Sequence, residues 1–293
     1  MQSGAMQVGL HALGIGAGAR RDIIDTVARC AESAGIATLW AGEHVVMVDE
    51  PASRYPYADD GRIAIPADAD WLDPLVALSF AAAATSRIRL ATGIMLLPEH
   101  NPVLAAKQTA SIDVLSGGRL SLGVGVGWSA EEFAALGVPF AGRGRRMDEY
   151  IDAMRTLWRD DVATFHGEYV SFDAIRVNPR PVHERRIPIV IGGNGDTALR
   201  RAARTGDGWY GFYLSLDETA ERLATLRRLC EENQREPGEL RTAVAVLGMT
   251  PGDRDRLEAL GLDEVVLVDG PPEDASAVEG WLNGVTEGWI APA

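Results

Sequence analysis

The chain has 293 residues, of which 46% are hydrophobic, and it carries a formal net charge of −14. This length is sufficient for one large α/β domain with a full core, and the acidic balance argues against nucleic acid or an anionic membrane as a partner. No apolar run reaches membrane-spanning length, and residues 1–4 do not begin a charged-then-apolar leader, so we expect a cytoplasmic location and no membrane partner.

Apolar strands alternate with helical patterns along the whole chain. Strands are predicted at 8–15, 37–41, 88–97, 120–126, 187–191, 208–210, 242–247 and 264–268. Helices are predicted at 20–34, 74–85, from 102 onward, 131–136, 143–158, 197–205, 217–233, 252–260 and after 272. Eight such units predict an α/β fold, a (β/α)8 TIM barrel with insertions at its C-terminal face. We expect a single domain over 1–293, with a lid loop at 44–72 and an excursion at 160–186.

One glycine pattern offers a rival to the barrel. Gly14-Ile-Gly16-Ala-Gly18-Ala19 follows the first strand and precedes a helix, as in the dinucleotide-binding fingerprint of an open doubly wound sheet. Because regular strand–helix alternation continues to the end of the chain, the closed barrel is the preferred interpretation.

The ends of the predicted strands carry the candidate site residues, because barrel enzymes react at that face. His44 ends the second strand and could shuttle a proton near neutral pH; the alternative is a loop histidine that caps a carbonyl. Glu43 either joins this site or forms a salt bridge with a helix. His11 and His100 are candidates for the pocket lining. No two histidines have the spacing of a metal site, so no metal is predicted.

Two glycine-rich segments are candidates for ligand contact. The loop from Gly192 to Asp196 follows a strand and opens a helix, so its backbone amides could hold a phosphate; an ordinary turn is the alternative. The glycines of 123–127 would let a flat ring approach the backbone beside Trp128, or they serve only tight packing.

Four stretches together resemble the bacterial luciferase-like flavin and deazaflavin oxidoreductases. They are LWAGEHV (39–45), ATGIMLLPEHNP (91–102), LSGGRLSLGVGVGW (115–128) and IVIGGNGDTALRRAARTGDGWYG (189–211). The resemblance implies a (β/α)8 barrel, usually dimeric, and its last stretch is most similar to members that use the deazaflavin coenzyme F420.

The resemblance also implies roles for individual residues. The cofactor ring would lie at the barrel mouth against a bulge with a cis peptide between Gly93 and Ile94, and His44 would act as the catalytic residue. The implied cofactor-binding residues are Thr92, Gly93, Ile94, Gly125, Val126, Gly127, Trp128, Ile191, Gly192, Gly193, Asn194 and Gly195. The implied substrate pocket is His11, Glu43, Tyr55, Tyr57, Trp71 and His100. Sugar-phosphate dehydrogenases of this family have a glutamate at the position of Trp128, which argues against such a substrate here.

The function expected from these observations is hydride transfer between F420 and a small organic substrate, by a homodimer. An FMN-dependent luciferase-like monooxygenase and a non-catalytic flavin-binding protein are the alternatives. Arg200 or Arg201 near the mouth would favour F420, because its tail carries an anionic oligoglutamate.

Overall fold

Eight parallel strands close into a barrel in the computed structural model, which describes residues 5–290. The strands of the chain are β1 (Gln7–Leu13), β2 (Thr38–Ala41), β3 (Arg89–Thr92), β4 (Leu120–Val124), β5 (Ala163–His166), β6 (Ser171–Ile175), β7 (Ile189–Gly192), β8 (Gly208–Leu214), β9 (Arg241–Val246) and β10 (Glu264–Val268). All but β5 and β6 form the barrel, and β10 pairs with β1 to close it. The predicted (β/α)8 fold is confirmed. Residues 1–4, on which the leader expectation depends, lie outside the described residues.

Helices cover the outside of the barrel. They are α1 (Arg21–Ser33), α2 (Pro74–Ala84), α3 (Pro102–Ser116), α4 (Ala130–Ala135), α5 (Arg143–Arg159), α6 (Asp196–Thr205), α7 (Leu216–Glu232), α8 (Arg254–Ala259) and α9 (Val278–Thr286). Local chemistry sets their ends: Asn101 accepts hydrogen bonds from the amides of Val103 and Leu104 at the start of α3, and Gly117 ends that helix at a φ of 73°. Within residues 5–290, no helix is both long and apolar enough to span a membrane.

The apolar side chains form two layers, because successive strand residues face opposite sides of the sheet. The inner layer fills the barrel, where Trp40 stacks on Tyr210 with ring centroids 4.6 Å apart. The outer layer lies between strands and helices and contains Ile191, whereas its neighbour Val190 faces the barrel interior.

The third strand is shorter than predicted. It ends at Thr92, and the Gly93–Ile94 peptide bond is cis, as the family resemblance implied. Met95 returns to bridge Val124, and a 3₁₀ turn follows at Leu97–Glu99. The segment 88–97 is apolar throughout, so its sequence gives no sign of where the chain leaves the sheet.

Two long connections interrupt the strand–helix alternation, at 44–72 and at 160–186. Residues 44–72 connect β2 to α2, and Trp71 forms their bridge to Ile15. The 160–186 segment contains the antiparallel hairpin of β5 and β6, with Phe165 stacked on Phe172 at 5.9 Å.

Close backbone packing at β4 leads to a stability prediction. A Cβ atom on Gly123 would lie 2.0 Å from the carbonyl oxygen of Thr92, a backbone atom that cannot rotate away. We expect Gly123→Ala to lower the free energy of unfolding by about 1–3 kcal/mol or to prevent folding. Gly280→Ala is the control, since its Cβ meets open space on α9 and should stabilise the helix slightly. Urea unfolding that gave both variants the same stability would contradict this account.

Candidate active site

His44 lies at the C-terminal side of β2, where a buried glutamate of α4 holds it. Its Nδ1 is 2.9 Å from Oε2 of Glu132, and the two side chains are only 8% and 1% exposed. The other oxygen of Glu132 accepts hydrogen bonds from the amides of Val45 and Val46, at 2.6 and 3.3 Å. Nε2 of His44 has no hydrogen-bond partner among residues 5–290. A proton on Nδ1 shared with Glu132 leaves Nε2 as the nitrogen available for chemistry.

Aromatic rings surround His44. Its ring packs edge-on against Trp71 and Trp128, with centroids 4.9 and 5.6 Å away. The ring contacts continue from Trp128 through Tyr55 and Tyr57 to Phe212 of β8, at centroid distances of 5.3–5.4 Å. Burial raises the pKa of Tyr55 and of Tyr57, so both phenols keep their protons at neutral pH. The predicted aromatic residues therefore lie in one connected wall.

Hydrogen bonds donated by backbone amides hold the 44–72 loop over the strand ends. Glu131 Oε1 accepts from the amides of Ala52 and Ser53, at 2.7 and 3.0 Å. At the far end of the loop, Leu72 donates to the carbonyl of Gly14 at 2.8 Å. Gly14 therefore anchors the loop within a closed barrel, and the doubly wound alternative is wrong.

Glu43 and His100 pair with each other behind His44. Glu43 is 6% exposed and accepts hydrogen bonds from the amide of Leu96 at 2.5 Å and from Nε2 of His100 at 3.0 Å. Burial opposes the charged imidazole, but the hydrogen bond and the negative charge of Glu43 raise the pKa of His100 overall. Both side chains thus fasten the segment after β3 to the end of β2, and neither binds a helix by a salt bridge.

His11 lies inside the barrel. Its Nδ1 is 3.1 Å from the hydroxyl of Tyr210, and burial lowers the pKa of the imidazole to about 4. A Cβ atom on Gly42 would lie 3.1 Å from His11 Nε2, so the neutral ring forms the floor beneath the end of β2.

Several residues predicted to contact the cofactor ring use their side chains elsewhere. Thr92 donates its hydroxyl to the carbonyl of Gly123 at 2.6 Å, and Ile191 packs against the outer helices. Cβ atoms on Gly125 and Gly192 would lie 1.9 and 2.7 Å from side-chain atoms of Ile94. These two glycines thus make room for Ile94, whose half-buried side chain packs on the inner apolar layer of the barrel.

In the loop after β7, the backbone amides that are free to bind a ligand are not the ones predicted. The amide of Gly193 donates to the carbonyl of Tyr210 at 3.1 Å, so it is not available to a phosphate. The Asn194 side chain bonds both backbone groups of Phe212, at 2.7 and 2.9 Å. The position that suits an anion is the start of α6 at Asp196, because a Cβ on the preceding Gly195 would meet open space and the amides of Asp196 and Thr197 have no partner within the helix, whereas the amide of Ala198 donates to the carbonyl of Gly195.

Basic residues near this loop also depart from expectation. Arg201 is 8% exposed and binds Asp148 of α5 at 2.6 Å, so its guanidinium is turned away from the mouth. Arg222 of α7 instead lies at the start of α6, 3.0 Å from the carboxylate of Asp196. Within residues 5–290, no group of three or more potential ligands has the arrangement of a metal site.

Comparison with known proteins agrees with this architecture. A family model described as luciferase-like monooxygenase matches residues 1–261. The chain belongs to that family. An uncharacterised protein of Mycobacterium tuberculosis is 35% identical over 242 residues, which is 82% of this chain and 83% of that protein. The FMNH2-dependent dimethylsulfone monooxygenase of Pseudomonas putida is 37% identical over 131 residues, covering 44% of this chain and 36% of that enzyme.

The fold of this luciferase-like chain also matches a solved structure. The coenzyme F420-dependent tetrahydromethanopterin reductase of Methanopyrus kandleri superposes with a TM-score of 0.75 at 16% identity, covering 98% of this chain and 99% of that one. At this identity the likeness concerns the fold alone.

Sequence reasoning missed Glu132 as a member of the site. Ser129 and Glu132 have the spacing of a helix capping box, and Ser129 does accept a hydrogen bond from the amide of Glu132 at 3.3 Å. The Glu132 side chain binds His44 instead, 88 positions away in sequence. A helical Glu beside a second Glu reads as solvent-exposed, so only the three-dimensional fold reveals the pair.

Proposed function

We propose that this protein is an F420-dependent oxidoreductase that transfers hydride to or from a small, uncharged organic substrate. The observation that carries the proposal is the His44–Glu132 pair within an aromatic wall at the C-terminal end of the barrel. Family membership supports an oxidoreductase, and the fold is shared with an F420-dependent reductase.

The residues present fit such a cofactor. The start of α6 offers backbone amides and a helix N-terminus to its phosphate, and Ile94 and Trp128 offer apolar surface to its ring. When bound, F420 supplies or accepts the hydride at its C5 carbon. Asp196 in the first turn of α6 would repel a phosphate, and its ion pair with Arg222 offsets that charge.

His44 supplies the proton that accompanies the hydride. Glu132 fixes the imidazole through Nδ1, so that Nε2 donates a proton to a substrate oxygen in reduction and accepts it in oxidation. The 44–72 loop acts as the lid that excludes water and, through Tyr55 and Tyr57, limits the shape of the substrate. Rings and neutral phenols favour an uncharged substrate.

FMN is the second candidate cofactor, supported by the similarity to the FMNH2-dependent enzyme of Pseudomonas putida. Both cofactors carry a phosphate next to a ribityl chain, so the α6 site does not separate them. Fluorescence titration of the purified protein with F420 and with FMN tests the proposal. Tighter binding of F420 is expected; tighter binding of FMN would move the assignment to a monooxygenase, and binding of neither would refute both.

We further propose that the protein is a homodimer that uses the outer faces of α2 and α3. Val76 and Phe80 on α2 are 52% and 49% exposed, and Leu104 and Leu115 on α3 are 56% and 79% exposed. The two helices pack side by side, so these side chains form an apolar surface of the kind that marks protein interfaces.

A double substitution tests this interface. Phe80→Glu with Leu104→Glu is expected to convert the dimer to a monomer, because two buried charges per subunit cost several kcal/mol without partners. Leu247→Glu, at a side chain 54% exposed elsewhere on the surface, is the matched control. Light scattering that finds a monomer for the unchanged protein, or a dimer for the double variant, would refute the proposal.

A further inference from the structure

Glu99 is a buried acid to which the proposed chemistry gives no role. The residue is 8% exposed, and within residues 5–290 its two carboxyl oxygens are the buried side-chain polar atoms that lack any hydrogen-bond partner. Buried polar groups are normally hydrogen-bonded, and an unpaired buried carboxylate is strongly disfavoured. Such an exception calls for a physical explanation.

The carboxyl of Glu99 lies behind the His44 site. Its Oε1 is 3.3 Å from the position that a Cβ atom on Gly127 would take, and the ring of Phe133 borders the same position at 2.7 Å. Gly127 precedes Trp128 of the aromatic wall, and Phe133 follows Glu132 on α4. Glu99 therefore fills the space between the end of β4 and the helix that holds His44.

Two carboxylates act on Glu99 directly, Glu132 from α4 and Glu43 from the end of β2. The ionisable groups bound to its surroundings are His44 on Glu132, His100 on Glu43 and Arg143 on the carbonyl of Gly127, and Asp73 before α2 acts on His100. The Nε of Arg143 donates to the carbonyl of Gly127 at 3.1 Å, and its guanidinium lies over the ring of Phe140. No cation in the described chain forms an ion pair with Glu99, and its two carboxylate neighbours are already bound to histidines.

We propose that Glu99 is a positioning residue for His44 that works as a neutral carboxylic acid. A neutral acid fills this place without adding a third negative charge beside Glu43 and Glu132, so Glu132 keeps His44 in one orientation and one tautomer. Burial raises the pKa of Glu99 to about 9, and the charges of Glu132 and Glu43 add to the rise, in agreement with the geometry. The catalytic part of this role rests on the proposed function of His44.

Coupling between Glu99 and His44 is measurable without cofactor or substrate. The imidazole of His44 is followed by NMR in histidine-labelled apoprotein from about pH 6 to pH 10, with His44→Gln used for assignment. In the unchanged protein we expect the His44 signals to shift where Glu99 loses its proton, and in Glu99→Gln we expect no such shift. Asp113→Asn, at a buried acid that accepts from the amide of Val182, is the control and should leave the His44 curve unchanged. Identical curves for the unchanged protein and Glu99→Gln would overturn the proposal.

Turnover separates positioning from simple space filling. Glu99→Gln and Glu99→Leu both replace the acid by a neutral side chain of similar size. With F420 and substrate, we expect kcat of the unchanged protein to fall about 10-fold at alkaline pH as Glu99 loses its proton, and we expect neither variant to show that fall. An alkaline fall in kcat that persists in both variants would assign Glu99 a packing role. Because the NMR measurement needs no F420, failure to bind F420 would refute the proposed function and leave the Glu99–His44 coupling to be judged independently.

Discussion

Replacement of His44 by Ala is expected to lower kcat for the proposed F420-linked reaction by about 10²–10⁴-fold, the usual contribution of a positioned acid–base group. The reason is geometric: Glu132 holds Nδ1, Nε2 has no other partner in the described chain, and the ring lies between Trp71 and Trp128. F420 binding should change little, because the proposed phosphate position at α6 is on a different strand end. Stopped-flow spectroscopy of the F420 absorbance measures hydride transfer directly.

Two further variants make this prediction specific. Glu132→Gln leaves the imidazole in place and removes the charge that favours its proton on Nδ1, so an intermediate loss of kcat is expected. His166→Ala is the matched control, since His166 is 63% exposed on the β5–β6 hairpin. Full turnover by His44→Ala would exclude the histidine from the reaction and would favour a role in lid closure alone.

The barrel was predictable from sequence because each strand contributes an apolar run and each helix an amphipathic or capped pattern. Those signals are local, and eight strand–helix units in succession are compatible with few folds other than a closed barrel. The early end of β3 was not predictable: the residues from Met95 to Leu97 are as apolar as the strand, since they are buried where the chain turns across the barrel mouth.

The site was predictable only in part, because its details depend on contacts between segments that are distant in sequence. His44 stands out because it ends a strand, and Trp128 because it ends a glycine-rich one. Contacts between distant segments decide which atoms are free to bind a ligand. The amide of Gly193 donates to the carbonyl of Tyr210, and the side chain of Ile94 fills the space beside Gly125 and Gly192. A glycine reads the same in sequence whether a ligand or a neighbouring side chain occupies the space beside it.

The buried acid Glu99 leads to the second large expected effect, which is a change in the stability of the folded protein with pH. The pKa of Glu99 is about 9 in the folded protein against 4.5 for an ordinary glutamate, so between these values the folded state binds a proton that the unfolded state has lost. Stability from this group is therefore complete below about pH 4.5 and declines as the pH rises toward 9. Glu99→Gln does not titrate, so its stability relative to the unchanged protein should increase over the same interval, by on the order of 2–4 kcal/mol at pH 8.

Glu131, on the helix α4 that carries Glu132, provides a control of opposite sign. Hydrogen bonds from Ser53 lower the pKa of the Glu131 carboxylate to about 2, so its stabilising effect is present above about pH 4.5 and is lost as the pH falls toward 2. Glu131→Gln should therefore be less stable than the unchanged protein at neutral pH, and the difference should vanish in acid. Urea unfolding of the three proteins at a series of pH values measures both trends. A gain for Glu99→Gln that did not grow with pH would mean that Glu99 is ionised in the folded protein, and the neutral acid behind His44 would have to be abandoned.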